Sequence, residues 1–155
     1  MKKETWFVAS WEDPDFLSGQ SVANILSELQ QILQCRSIIV SGFEGKGEGV
    51  IDLPREDDSS RLFLPDQLLQ VLAEIRQIEW CDFFFVDEET ERIVLSLSVS
   101  PYQVVLPKTS CTLRAVDGHL FMVYTRDKSL VNALAVKRPG VELEEGLLQN
   151  LSFPS

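Results

Sequence analysis

Histidine is nearly missing from this sequence, where His119 stands alone among 155 residues. A histidine-built metal centre is therefore excluded, and any nucleophile–base catalysis would hang on that single imidazole. Cysteine is scarce and odd in number: Cys35, Cys81 and Cys111 are scattered with no paired ligand spacing, which argues against a disulfide framework and against a zinc site. Thiols used this way fit a reducing compartment, so a cytoplasmic location is expected. Long apolar runs are lacking too. Stretches such as Phe83–Val86 and Leu120–Tyr124 fall far short of the roughly 20 residues a membrane-spanning helix requires. Met1-Lys2-Lys3 is basic, but the apolar patch Trp6–Ser10 runs at once into Glu12, Asp13 and Asp15, unlike a secretory leader.

Positive charge is also in short supply. Lys and Arg number 14 against 24 Asp and Glu, a net charge of −10, and such a field repels nucleic acid and anionic membrane surfaces. The imbalance is local: residues 1–91 hold 19 acids and 7 bases, whereas residues 92–155 hold 5 and 7. With 45% hydrophobic residues the chain has ample material for one core, and a single domain over 1–155 is expected.

Thr5–Ala9 is rich in β-forming residues and reads as a first strand, closed by the turn-prone Glu12-Asp13-Pro14-Asp15. Val22, Ile25, Leu26, Leu29, Ile32 and Leu33 then recur at helical spacing, with Ser18 or Ser21 available as the N-cap. Ser37–Ser41 is a β-branched run. The glycine-rich segment 42–49 after it predicts a hairpin or loop into a second run, Val50–Leu53. Pro65 suits a first helical turn, and Leu68, Leu69, Leu72, Ile75 and Ile78 form one apolar stripe. Trp80–Val86 reads as a strand buried on both faces. Asp87–Thr90 reverses the chain, and Ile93, Leu95, Leu97 and Val99 alternate with serines in a return strand. Tyr102–Leu106 resumes after Pro101. Cys111–Val116 and His119–Thr125 flank Asp117-Gly118, a strong hairpin signal, and Asp127 can cap a helix through Leu130, Val131 and Leu134. Val141–Leu151 reads as a short, weakly specified helix. The pattern predicts an α+β fold: a mainly antiparallel sheet with two to four helices, packed largely on one face.

Several segments invite chemistry. The glycine-rich loop lacks the Lys-Ser/Thr pair and following helix of a phosphate-binding loop, and Glu44 and Glu48 would repel a polyanion, so a turn is expected. The acidic groups Glu12/Asp13/Asp15, Glu56/Asp57/Asp58 and Asp87/Glu88/Glu89/Glu91 miss calcium-loop spacing and read as solvated turns or a partner-binding surface. Cys111 and His119 lie on one hairpin, where a nucleophile–base pair is conceivable but lacks an orienting carboxylate. Tyr102, Arg114, Tyr124 and Arg126 fit a shared sheet face, without the consensus of a base-stacking RNA-binding domain. No cofactor motif is present.

Two functional readings remain. The leading one is a non-enzymatic protein-binding domain of inhibitor, immunity or adaptor type that presents an acidic surface to a basic partner, with Trp11, Asp13, Asp15, Phe16, Phe43, Glu44 and Glu48 at the interface. The second is a small-molecule-binding domain or weak enzyme with a pocket between sheet and helices, near Trp80, Cys81, Tyr102, Arg114 and His119. Neither involves nucleic acid or a membrane, and a homodimer through an edge strand is compatible with both.

Overall fold

The computed structural model describes residues 4–55, 60–87 and 106–153. The expected turn at Asp87–Thr90, the return strand of Ile93–Val99, Tyr102, and the acidic Glu56, Asp57, Asp58, Glu88, Glu89 and Glu91 fall wholly or mainly outside those residues. Among the described residues the fold is α+β, as predicted: seven antiparallel strands form one sheet, and three α-helices pack on it. The strands are β1 (Trp6–Glu12), β2 (Ser37–Gly47), β3 (Arg61–Phe63), β4 (Ile75–Val86), β5 (Cys111–Val116), β6 (Leu120–Thr125) and β7 (Glu142–Gly146). Their order across the sheet is β3-β2-β4-β5-β6-β1-β7. The helices are α1 (Gly19–Leu33), α2 (Pro65–Leu72) and α3 (Lys128–Lys137).

Local chemistry sets the helix starts. Ser18 caps α1 by accepting from the Ser21 N–H, while the Ser21 hydroxyl accepts from the Ser18 N–H, so two otherwise orphaned donors are satisfied. Asp127 caps α3 through the Ser129 N–H, and Pro65 opens α2. Val22, Leu26 and Leu29 of α1, Leu68 and Leu72 of α2, and Leu130 and Leu134 of α3 are buried against Val40, Phe83, Phe85, Leu113 and Val123 of the sheet. Each such side chain contributes about 1.5–3 kcal/mol by leaving water. All three helices share this face.

The opposite face is not left wet. Trp6, Val8, Ile39, Phe84, Met122 and Tyr124 form a second cluster, joined by Leu106 and by Leu151 from the end of the chain. The Tyr124 hydroxyl donates to the Ser152 carbonyl, and the Phe153 ring stacks on the Tyr124 ring at a centroid distance of 5.0 Å.

Three expectations are corrected. The glycine-rich segment is not a hairpin: β2 runs through it to Gly47, bent by register shifts against β4, and residues 48–52 form a 3₁₀ turn instead of a strand. Gly45 is needed there because a Cβ would lie 2.2 Å from the Gln77 carbonyl oxygen, so only glycine lets the two backbones pair this closely. Ile75 and Ile78 extend the apolar stripe of α2 in sequence but belong to β4, since α2 ends at Leu72. The tail is likewise a strand, β7, held by β1 from Trp6↔Gly146 to Ser10↔Glu142.

Candidate partner-binding surface

Residues 13–18 cross one end of the sheet and are fixed there by backbone bonds. The Asp13 N–H donates to the His119 carbonyl at 2.7 Å, and the Leu17 N–H donates to the Gly118 carbonyl at 2.7 Å. In return the Leu17 carbonyl accepts from the Ile78 N–H at 2.8 Å, and the Gly118 N–H donates to the Glu79 carbonyl at 2.9 Å. Asp117 and Gly118 both take positive φ, 51° and 77°, the conformation of a tight hairpin turn. The loop therefore rests on the β5–β6 turn and on the start of β4, and Leu17 is fully buried beneath it.

That anchoring turns Phe16 outward. Its ring is 72% exposed, the most exposed of the large aromatic side chains in the described residues, although its two chain neighbours are an exposed acid and a buried leucine. It borders a depression with Glu12, Asp13, Pro14, Asp15 and His119. A second depression is lined by Ser18, Glu48, Glu74 and Arg76, because the end of β2 pairs with the start of β4 just after the α2–β4 turn. Asp117 and Glu79 complete this end, where Lys46 and Arg76 are the neighbouring bases. A third depression leads from Trp11 and Glu12 to Pro139 and Glu142. The result is an acidic end of the sheet with one exposed aromatic ring.

The expected interface residues divide accordingly. Asp13, Asp15 and Phe16 lie together around the first depression, and Glu48 lines the second. Glu44 is exposed further along β2, opposite Trp80. Trp11 is occupied: it packs 5.5 Å from the Phe121 ring, and the Arg138 guanidinium lies 4.7 Å above it. Phe43 is 2% exposed and belongs to the helix-side core, so it is no anchor. Glu74 and Glu79 were not singled out in the sequence and Asp117 was read there only as a hairpin turn, because the strand order is what brings them to this edge.

The residues named for a pocket are not assembled as one. Trp80 and Arg114 meet, with the guanidinium 5.0 Å over the indole, but on the face away from the helices. Cys81 points the other way into the helix-side core, His119 is exposed at the hairpin turn, and Tyr102 lies outside the described residues. Arg114 Nε donates to Asp82 Oδ1 at 2.9 Å, and both side chains are buried. Burial pushes the Asp82 carboxyl above its ordinary range, against the pull of Arg114. Cys111 pairs with Thr125 at the far end of the hairpin from His119, so these two cannot act as nucleophile and base. Burial raises the thiols of Cys81 and Cys111, which disfavours the nucleophilic thiolate. Among the described residues no group of three His, Cys, Asp or Glu side chains is placed to hold a metal ion, and no helix is long and apolar enough to cross a membrane.

Among the described residues, fold and surface together define a seven-stranded antiparallel α+β arrangement with an acidic, aromatic-tipped sheet end. In comparisons with protein families, curated proteins and solved structures, no match to the chain was found.

Proposed function

We propose that this protein is a non-enzymatic binding domain, of inhibitor, immunity or adaptor type, that docks a basic protein on the acidic end of its sheet with Phe16 as the anchor. The observation that carries this reading is the 72% exposure of Phe16 within a border of carboxylates, on a loop held by three backbone hydrogen bonds. Exposing an aromatic ring on a rigid support is unfavourable for a domain alone and useful at an interface, where such rings supply much of the affinity. The surrounding acids steer a basic partner and raise the rate of encounter. The three free cysteines suit a reducing compartment, and we place the protein's action in the cytoplasm.

The test is a photo-crosslinking residue in place of Phe16, compared with the same residue at Val136, which is 85% exposed on α3. In extract from the host, position 16 should capture a basic protein at low salt and lose it at high salt, while position 136 should not capture it. Equal capture at both positions, or capture at position 16 that ignores salt, would count against the reading.

A further inference from the structure

Among the described residues the sheet ends on β7. β7 pairs antiparallel with β1, and among the described residues no strand pairs with its other side. Such an edge presents a row of N–H and C=O groups spaced for another strand. β3, at the opposite edge, spans only Arg61–Phe63 and offers far less. The β7 sequence Glu-Leu-Glu-Glu-Gly carries no base. Glu142 and Glu144 lie on the face of their partners Ser10 and Val8, and Leu143 and Glu145 on the helix face beside Ala9 and Phe7. Leu143 is 54% exposed and walls a groove of about 110 Å³ with Phe7, Val131, Asn132 and Lys128.

A second copy of this chain is a poor occupant. In an antiparallel self-pairing, every register that matches three or more of the five residues sets one glutamate directly opposite another: Glu142 on Glu144, Glu142 on Glu145, Glu144 on Glu144, Glu144 on Glu145, or Glu145 on Glu145. Like charges facing across a ladder are destabilising. The same charges favour a strand with lysine or arginine at those positions. Glu142 also shares a depression with Trp11 and Glu12, so this edge continues the acidic end that carries Phe16.

We infer that the free edge of β7 takes up an extended basic segment of the partner by strand addition, with basic side chains opposite Glu142 and Glu144 and one apolar side chain over Leu143. This rests on the reading of a basic protein partner and names how it is held. The ladder of main-chain bonds supplies affinity, and the charge pattern sets register and excludes self-pairing.

The probe is a peptide of about eight residues alternating lysine and valine, the length of an ordinary strand. It is compared with a peptide of equal charge in which proline replaces valine and the ladder cannot form. The alternating peptide should bind at low salt at least tenfold more tightly than the proline peptide, and it should slow hydrogen exchange at β7 amides. Replacing Glu142, Glu144 and Glu145 together by lysine should weaken it at least tenfold, whereas Val136→Ala, at an exposed position of α3, should leave it unchanged. The unmodified protein should sediment as a monomer. Equal binding of the two peptides, no binding of the alternating one, or a dimer abolished by the lysine substitutions would each overturn strand addition. If crosslinking from position 16 succeeds in any of those cases, the acidic-surface reading survives without it.

Discussion

The Arg138 guanidinium grips both carboxylate oxygens of Glu28, joining α1 to the residue after α3 across 110 positions of sequence. Lys137 Nζ adds a contact at 3.8 Å, and the other side of the guanidinium lies over Trp11. Both ion-pair side chains are mostly buried, 15% and 18% exposed, so the pair is shielded from competing water.

Glu28→Gln should destabilise the protein by about 2 kcal/mol, read as a lower urea midpoint with unchanged slope. The hydrogen bond from Arg138 holds the Glu28 carboxyl below its ordinary value of 4.5. A depressed acid contributes stability above its unfolded value and loses it as pH falls through the folded one. The urea midpoint of the unaltered protein should therefore lose this contribution below about pH 4.5, and the variant should lack that component.

Asp82 works in the opposite sense. Burial raises its carboxyl above the ordinary 3.8, so its contribution favours the folded state most at acid pH and declines as pH rises through the raised value. Asp82→Asn should cost about 3 kcal/mol near neutral pH by leaving Arg114 buried beside a neutral group. Exchanging both residues together, as Asp82→Leu with Arg114→Met, should recover most of that loss in the same denaturation measurement.

Gly45→Ala tests whether β2 runs through the glycine-rich segment. The added Cβ meets the Gln77 carbonyl oxygen at 2.2 Å and the Phe43 ring at 2.8 Å, so backbone must move. A loss of about 3 kcal/mol or more in thermal or urea unfolding is expected. A free loop at this point would tolerate alanine within about 0.5 kcal/mol.

Thiol labelling should separate the three cysteines. Cys81 and Cys111 are fully buried and Cys35 is half-buried, and burial raises all three thiols. With a disulfide reagent at neutral pH, Cys35 should react slowly and the other two only as fast as the protein opens. Rapid labelling of two or more thiols in the folded protein would contradict this.

Phe16→Ala should shift stability by no more than about 0.5 kcal/mol, because so little of the ring is buried. The same change should weaken the partner captured through position 16 at least tenfold, the effect of removing an interface anchor. A large loss of stability would instead assign Phe16 a packing role.

The elements legible in the sequence are those decided within a few residues. The Ser18 cap and apolar spacing of α1, Pro65 at the start of α2, Asp127 at the start of α3 and the Asp117-Gly118 turn all appear where local chemistry put them. What was not legible depends on distant partners. Gly45 sits in a strand because of where Gln77 lies, and Glu142–Gly146 is extended because β1 pairs with it, although its glutamates and leucine suit a helix equally well. Ile75 and Ile78 continued a helical spacing with no glycine or proline to mark the change to β4. The acidic loop was visible as composition, but the exposure of Phe16 follows from the backbone anchoring of its loop, and the burial of Phe43 from the helix-side core it joins.

The place of β1 between β6 and β7 governs how the chain is made. A growing polypeptide emits Trp6–Glu12 ahead of the other strands of the sheet, yet that strand finds no ladder until Leu120–Thr125 has been synthesised, and its second ladder waits for Glu142–Gly146. Loop 13–18 must wait equally for Gly118, which accepts the Leu17 N–H. Ribosome-bound fragments ending before the β5–β6 hairpin therefore leave β1 without either neighbour while β2, β3 and β4 can already pair, so β1 and the loop that carries Phe16 are the parts completed late.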